Sequence, residues 1–222
     1  MCGRYSLVTT DVAVQIQLGN MQLELPSIAR YNIAPTQFAP VVTNTQPGLF
    51  QHFTWGLVPF WSKDGKNTGK MINARAEGIE SKPSFRQPIR TKRCLVLADS
   101  FYEWRKTGTQ KQPYRILLQN GTWLVFAGIW EEWRGGEQPM RSFSIITTTP
   151  NREMATLHDR MPVLLLDAAT QQQWLSENSL PSILALLKPP PDDVLTYYPV
   201  NPLMNKATFD APSIHTPFSV EF

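Results

Sequence analysis

An α+β domain with a largely antiparallel sheet is the fold class this sequence predicts, and three observations carry the prediction. Strand-like segments cluster in the middle of the 222-residue chain, whereas helix-like segments lie towards its ends. The two kinds do not alternate, as the βαβ units of a parallel sheet would require. No stretch between them has the composition of a linker, so residues 1–222 read as a single domain. Apolar residues make up 42% of the chain, enough for a packed core, and nineteen prolines against twelve glycines call for short elements joined by defined turns.

In chain order, Thr10 followed by Asp11-Val12-Ala13-Val14-Gln15-Ile16 and closed by Gly19 predicts a short helix with cap and stop signals. Phe38–Thr43 and residues 49–55 predict two strands joined at Gln46-Pro47-Gly48. Residues 93–98, 113–118, 123–129 and 141–148 add strands on their β-branched and aromatic content. Residues 167–175 and 181–187 read as helices.

No apolar run approaches the ~20 residues a membrane helix needs. The first residues, Met1-Cys2-Gly3-Arg4-Tyr5-Ser6-Leu7, carry no basic region followed by an apolar stretch, so no secretory signal is read there. A cytoplasmic chain with no membrane partner is the expectation, nucleoid-associated if bacterial. Two cysteines cannot build a disulfide framework, and Cys94, in Cys94-Leu95-Val96-Leu97-Ala98, reads as a buried strand thiol. His52, His158 and His215 show no metal-ligand spacing with either cysteine, so neither metal nor cofactor is expected.

The net charge of +3 is unevenly spread. Lys63, Lys66, Lys70, Arg75, Lys82, Arg86, Arg90, Lys92 and Arg93 crowd one stretch, opposed there by Asp64, Glu77 and Glu80. Two readings stand side by side: a solvated face, or a surface that binds the phosphates of a nucleic acid. Aromatics accompany it. Trp55-Gly56-Leu57-Val58-Pro59-Phe60-Trp61 precedes the lysines and Phe85 interrupts them, and aromatics beside a cationic groove stack on unpaired bases. Trp55 reads as core, and Phe60-Trp61, after a turn-like Gly-Leu-Val-Pro, as exposed.

Position 2 is the most informative. Aminopeptidases remove Met1 when a small side chain follows, leaving Cys2 as a free 1,2-aminothiol. An α-amine titrates at ~7.7–8 and a thiol at ~8.5, so both are partly deprotonated near neutrality. Both can add to one aldehyde carbon: the amine forms a Schiff base and the thiol closes a five-membered thiazolidine. Three further residues have suggestive settings. Asn73, in Ile72-Asn73-Ala74-Arg75, can donate and accept hydrogen bonds. Glu103, in Phe101-Tyr102-Glu103-Trp104, sits among aromatics whose desolvation raises a carboxyl pKa. His158 lies in the charged run His158-Asp159-Arg160-Met161-Pro162. A turn asparagine, a solvent-facing glutamate and a surface histidine are equally open readings of each taken singly. With Cys2 they supply a nucleophile, proton carriers and an oriented hydrogen-bond partner.

The chain resembles the SRAP family, the SOS-response-associated peptidase-like proteins that shield abasic sites in DNA. The resemblance runs in order through Met1-Cys2-Gly3-Arg4-Tyr5, Arg30-Tyr31-Asn32-Ile33-Ala34-Pro35, Trp55-Gly56-Leu57-Val58-Pro59, Ile72-Asn73-Ala74-Arg75-Ala76-Glu77, Phe101-Tyr102-Glu103-Trp104 and His158-Asp159-Arg160-Met161-Pro162. It implies an α+β fold with a bifurcated or barrel-like antiparallel sheet flanked by helices. It implies a monomer acting on single-stranded DNA that contains abasic sites. Cys2 is then the crosslinking nucleophile, Asn73 holds the ring or its precursor, and Glu103 and His158 move protons. Arg4, Arg75 and Arg160 contact phosphates, with Lys82 and Arg86 on the same DNA-binding surface and Phe60-Trp61 as an aromatic wedge. The family's peptidase name reflects proposed self-removal of residues ahead of the cysteine; with Met1 alone ahead, an ordinary aminopeptidase suffices. Peptidase and lyase-type activities belong to the same expectation. Ser100 departs from the glycine expected before the aromatic pair and narrows a turn there. Two other readings remain: an N-terminal-nucleophile glutamine amidotransferase, and a noncovalent single-strand-binding module in which Cys2 is incidental.

Overall fold

The computed structural model describes residues 2–9, 14–18, 21–25, 28–66, 69–107 and 110–219. In chain order the strands begin with β1 (Tyr5–Val8), β2 (Val14–Leu18), β3 (Met21–Leu25), β4 (Ala29–Ile33), β5 (Phe38–Thr43), β6 (Gln46–Trp55) and β7 (Asn73–Arg75). After the short helix α1 (Pro88–Thr91) come β8 (Arg93–Ala98), β9 (Ser100–Thr107), β10 (Gln110–Leu118), β11 (Leu124–Trp133) and β12 (Met140–Thr148). The remainder holds α2 (Arg152–Ala155), β13 (Met161–Pro162), α3 (Ala168–Leu175), α4 (Leu180–Leu184), β14 (Leu195–Pro199) and two 3₁₀ turns, Pro202–Asn205 and Pro212–His215.

Two sheets carry the fold, and the α+β expectation holds. One has the order β14-β10-β9-β1-β4. The other runs β11-β8-β5-β6-β12, and β12 pairs back onto β11, so this path closes on itself like a small barrel. β13 and β7 attach to β12, and β7 and β6 are parallel to it. The interior of that ring is crowded. A Cβ on Gly128 would lie 2.8 Å from the Cys94 sulfur and 3.2 Å from the Ser144 carbonyl oxygen, so only glycine lets β8, β11 and β12 approach so closely. Cys94 is fully buried there, and its thiol packs where the sequence places it. β1 bridges the two sheets: Tyr5 meets Trp55 edge-on at 5.1 Å and Phe126 at 6.0 Å. Trp55 is core, as expected.

The local readings divide by physical cause. Asp167 caps α3, its side chain accepting from the Thr170 amide at 2.8 Å. The second predicted helix is shorter, since Ser179 caps α4 and it ends at Leu184. The predicted helix after Thr10 is wrong: Val14–Leu18 is a strand paired in register with β3 from Val14↔Leu25 to Leu18↔Met21. Val14, Ile16 and Leu18 alternate with glutamines, a period of two that the cap signals obscured. Thr10, Asp11, Val12, Ala13 and Gly19 lie outside the described residues. The turn between β5 and β6 also moves, to Asn44-Thr45, and Pro47-Gly48 fall inside β6. The ladder jumps there from Val41↔Gln51 to Thr43↔Gln46, and such an irregularity tolerates a proline with no N–H to donate.

Arg93 and Lys92 leave the basic surface. Arg93 is buried, and its guanidinium donates to the carbonyls of Ile89, Arg90, Trp174 and Ser176, tying the ends of α1 and α3 together. Lys92 pairs with buried Glu131. Arg93→Met is expected to destabilise the fold by about 3 kcal/mol, because four carbonyls, two of them in fully buried contacts, lose a charged donor. Urea denaturation measures it; a midpoint within error of the parent's would refute this structural role.

Candidate active site

The site is built on β1, β7 and β9. β1 and β9 pair antiparallel, Tyr5↔Phe101 and Ser6↔Ser100, and the Tyr102 amide donates to the Arg4 carbonyl at 3.0 Å. Continued outward, that register carries the segment at Cys2 alongside Glu103 and Trp104. From the other sheet, β7 runs parallel to β12 with Asn73 opposite Ile145. The carbonyl just before it, that of Ile72, accepts from the Ile145 amide at 3.0 Å and the Trp55 indole at 2.9 Å. Asn73 thus stands on a clamped backbone. Its Nδ2 donates to the Cys2 carbonyl at 2.7 Å, while its buried Oδ1 finds no partner among the described residues.

Cys2 has no exposed surface and Glu103 has 2%. Burial pushes the Cys2 thiol well above its ordinary pKa, and the Glu103 carboxylate pushes it further. Burial likewise raises the Glu103 carboxyl, with His158 among the groups that oppose the rise. A carboxyl raised in this way can exchange protons nearer neutrality than an ordinary one. Glu103 and His158 line one pocket of about 400 Å³ with Trp104, Lys106, Lys111 and Asn205. The four residues expected to do chemistry are therefore neighbours.

His158 is held by two contacts that ask for opposite protonation. Its Nδ1 accepts from the Arg160 amide at 3.0 Å, which needs a bare nitrogen. The same Nδ1 lies 2.7 Å from Asp159 Oδ1, which favours a protonated one. Nδ1 therefore faces both a donor and an acceptor.

Ser100 does not narrow a turn. It opens β9 directly after Asp99, buried, with its hydroxyl bonded to that of Ser6 and accepting from Arg115 Nε at 2.7 Å. Arg115 also pairs with Asp99 at 2.8 Å, so a polar cluster locks β1 to β9 and β10 behind Glu103.

The arginines and aromatics are placed differently. Arg75 is exposed at the end of β7. Arg160 makes a two-pronged pair with Glu77, at 2.7 and 2.8 Å, and donates to the Thr147 carbonyl at 2.6 Å; this pair holds the Glu77 carboxyl below its usual range. Arg4 donates to Asn32 Oδ1 at 2.8 Å and to the carbonyls of Met204 and Asn205, bracing the first 3₁₀ turn against β1 and β4. Asn32, fully buried, completes that brace through the Met204, Lys206 and Phe209 carbonyls. Phe60 and Trp61 are exposed, at 59% and 53%, in the loop between β6 and β7. Trp133 anchors that loop: its indole donates to the Ser62 carbonyl at 2.7 Å and its ring covers Gly65, where a Cβ would sit 2.5 Å away. Lys82 is half-buried and Arg86 exposed before α1, whereas Phe85 is buried. Sequence reasoning quoted Glu77 and Asn32 within motifs without giving them a task, and it missed Trp133, Lys106, Lys111 and Asn205 altogether.

Residues 1–207 match the family model for SOS response associated peptidase (SRAP). The chain is 39% identical over 221 residues to the abasic site processing protein YoqW of Bacillus subtilis, covering 96% of this chain and 98% of that one. It is 30% identical over 224 residues to the abasic site processing protein HMCES of Gallus gallus, covering 86% of this chain and 66% of that one. A crystal structure of a Bacteroides thetaiotaomicron protein superposes with a TM-score of 0.78 at 32% identity, over 86% of each chain.

Proposed function

The chain belongs to the SRAP family, and from that premise we propose that it captures abasic sites in single-stranded DNA by a covalent bond to Cys2. The observation that carries the reading is the contact of Asn73 with the Cys2 backbone beside a pocket walled by Glu103 and His158. With Met1 removed, the Cys2 amine adds to the aldehyde of the ring-opened deoxyribose and water leaves as the C=N bond forms. The thiol then adds to the same carbon; its proton ends on nitrogen and a thiazolidine closes. Because burial keeps the thiol protonated, the amine acts first. Asn73 Oδ1 is the acceptor available to orient the amine or ring N–H. Glu103 protonates the departing sugar oxygen, and His158 relays protons as the linkage forms or reverses.

The test mixes the protein with an abasic single strand and, separately, with glutamine. A DNA adduct that survives denaturation supports capture. Ammonia release from glutamine would favour the amidotransferase reading, and salt-sensitive binding with no adduct would favour a noncovalent module.

DNA binding supplies a second expectation. Affinity for single strands falls with salt at a log–log slope of roughly −0.7 per phosphate contact. Arg75→Ala is expected to weaken binding to all sequences alike and flatten the slope by about 0.7. Arg160→Ala is expected to do the same and also to release Glu77. Fluorescence anisotropy at several salt concentrations reads both; an unchanged slope after both substitutions would remove the two arginines from the phosphate surface. Tighter binding to duplex than to single strands would contradict the wedge role of Phe60-Trp61.

A further inference from the structure

Lys106 and Lys111 are exposed and directly opposite each other across the β9–β10 hairpin. Like charges at facing positions of an antiparallel pair destabilise it. Among the described residues the lysines in ion pairs are Lys66 and Lys92, so none of the described carboxylates is paired with Lys106 or Lys111. The pair is not on a remote edge: both side chains line the pocket that also contains Glu103 and His158. Its floor is fixed, because the Trp104 indole, two facing pairs along and opposite Pro113, donates to Asn205 Oδ1 at 2.7 Å, and the Asn205 carbonyl accepts from Arg4. Two cations held apart over a rigid floor, with a cavity of about 400 Å³ before them, are short of one anion.

We propose that Lys106 and Lys111 form a two-ammonium fork for one backbone phosphate of the strand, adjacent to the abasic sugar. The assignment rests on the capture reading above. Three residues of strand, about 10 Å at ~3.4 Å each, separate positions 103 and 106. Both ends of that span border the same cavity of about 400 Å³. An ammonium serves a phosphate as a point charge, so two of them bind it without demanding one geometry or reading a base. The fork sets which phosphate enters beside the reacting carbon; it takes no part in proton transfer.

The experiment compares the parent with the double variant Lys106→Gln, Lys111→Gln and with Lys106→Arg, Lys111→Arg. Each is tested on abasic strands carrying a neutral methylphosphonate at one linkage at a time on either side of the lesion. The parent is expected to lose affinity at one linkage in particular, and the glutamine variant to lose nothing further there. The salt slope of the glutamine variant should be shallower by about 0.7, so that its deficit shrinks about 2.6-fold between ~50 and ~200 mM salt. The arginine variant should keep the parent's slope. A methylphosphonate penalty that persists undiminished in the glutamine variant overturns the fork, as does a salt slope equal to the parent's in that variant. If the parent forms no adduct with any abasic strand, capture itself falls and the fork falls with it.

Discussion

A variant that retains any residue ahead of Cys2 is expected to yield no denaturation-resistant adduct with an abasic strand, however well it binds DNA. The reason is covalent. An amide nitrogen has its lone pair in the peptide bond and cannot form the Schiff base that precedes ring closure. A thiol alone gives a hemithioacetal, which reverts on denaturation. The site adds its own constraint, since burial holds the Cys2 thiol in its protonated, weakly nucleophilic form. The amine must therefore open the reaction. Intact mass spectrometry of active protein should show Met1 absent. Cys2→Ser keeps the amine and exchanges sulfur for a poorer nucleophile, so it should leave at most a weak imine or oxazolidine linkage. Efficient crosslinking by an extended protein would sink the thiazolidine. Asn73→Ala should lower adduct yield while DNA affinity holds, because it frees the Cys2 carbonyl from its 2.7 Å donor.

What the sequence made legible followed the strength of the local signal. The apolar run Cys94-Leu95-Val96-Leu97-Ala98 reads as part of a strand and is one, and the Asp167 cap opens α3. At Val14–Leu18 an alternation of period two was overruled by cap-like neighbours, and pairing with β3 decided the outcome. β1, β4 and β7 went unread because short strands form through their partners, and the partner of β7 lies some seventy residues away. The candidate site was legible through motifs, since Cys2, Asn73, Glu103 and His158 each sit in a distinctive run. The supporting contacts were not. Nothing in the spacing of Arg160 and Glu77, or of Arg4, Asn32 and Met204, announces that the fold joins them. The facing lysines on β9 and β10 become visible only once the hairpin register is known.

Glu103→Gln and His158→Ala are each expected to slow adduct formation or reversal by ~10²–10⁴-fold, the usual worth of a positioned acid or base, or about 3–5 kcal/mol of barrier. DNA affinity should stay near the parent's. The pH dependence separates the groups. The Cys2 amine must be neutral to attack, so the rate falls as pH drops below ~7.7. Glu103 must be protonated to release the sugar oxygen, so the rate also falls as pH rises through its folded pKa, which burial has moved upward from the carboxylate range. The two conditions give a bell-shaped profile for the parent. In Glu103→Gln the alkaline limb due to Glu103 should vanish while the acid limb due to the amine remains. His158 works in both directions, since its Nδ1 has a partner for either protonation state. His158→Ala should therefore trap a preformed adduct, read as slower transfer of protein to a competing abasic strand. Release from His158→Ala at the parent's rate would end its assignment as the relay. An alkaline limb that survives Glu103→Gln would end that of Glu103, and losses of affinity that account for both slow rates would end the two together.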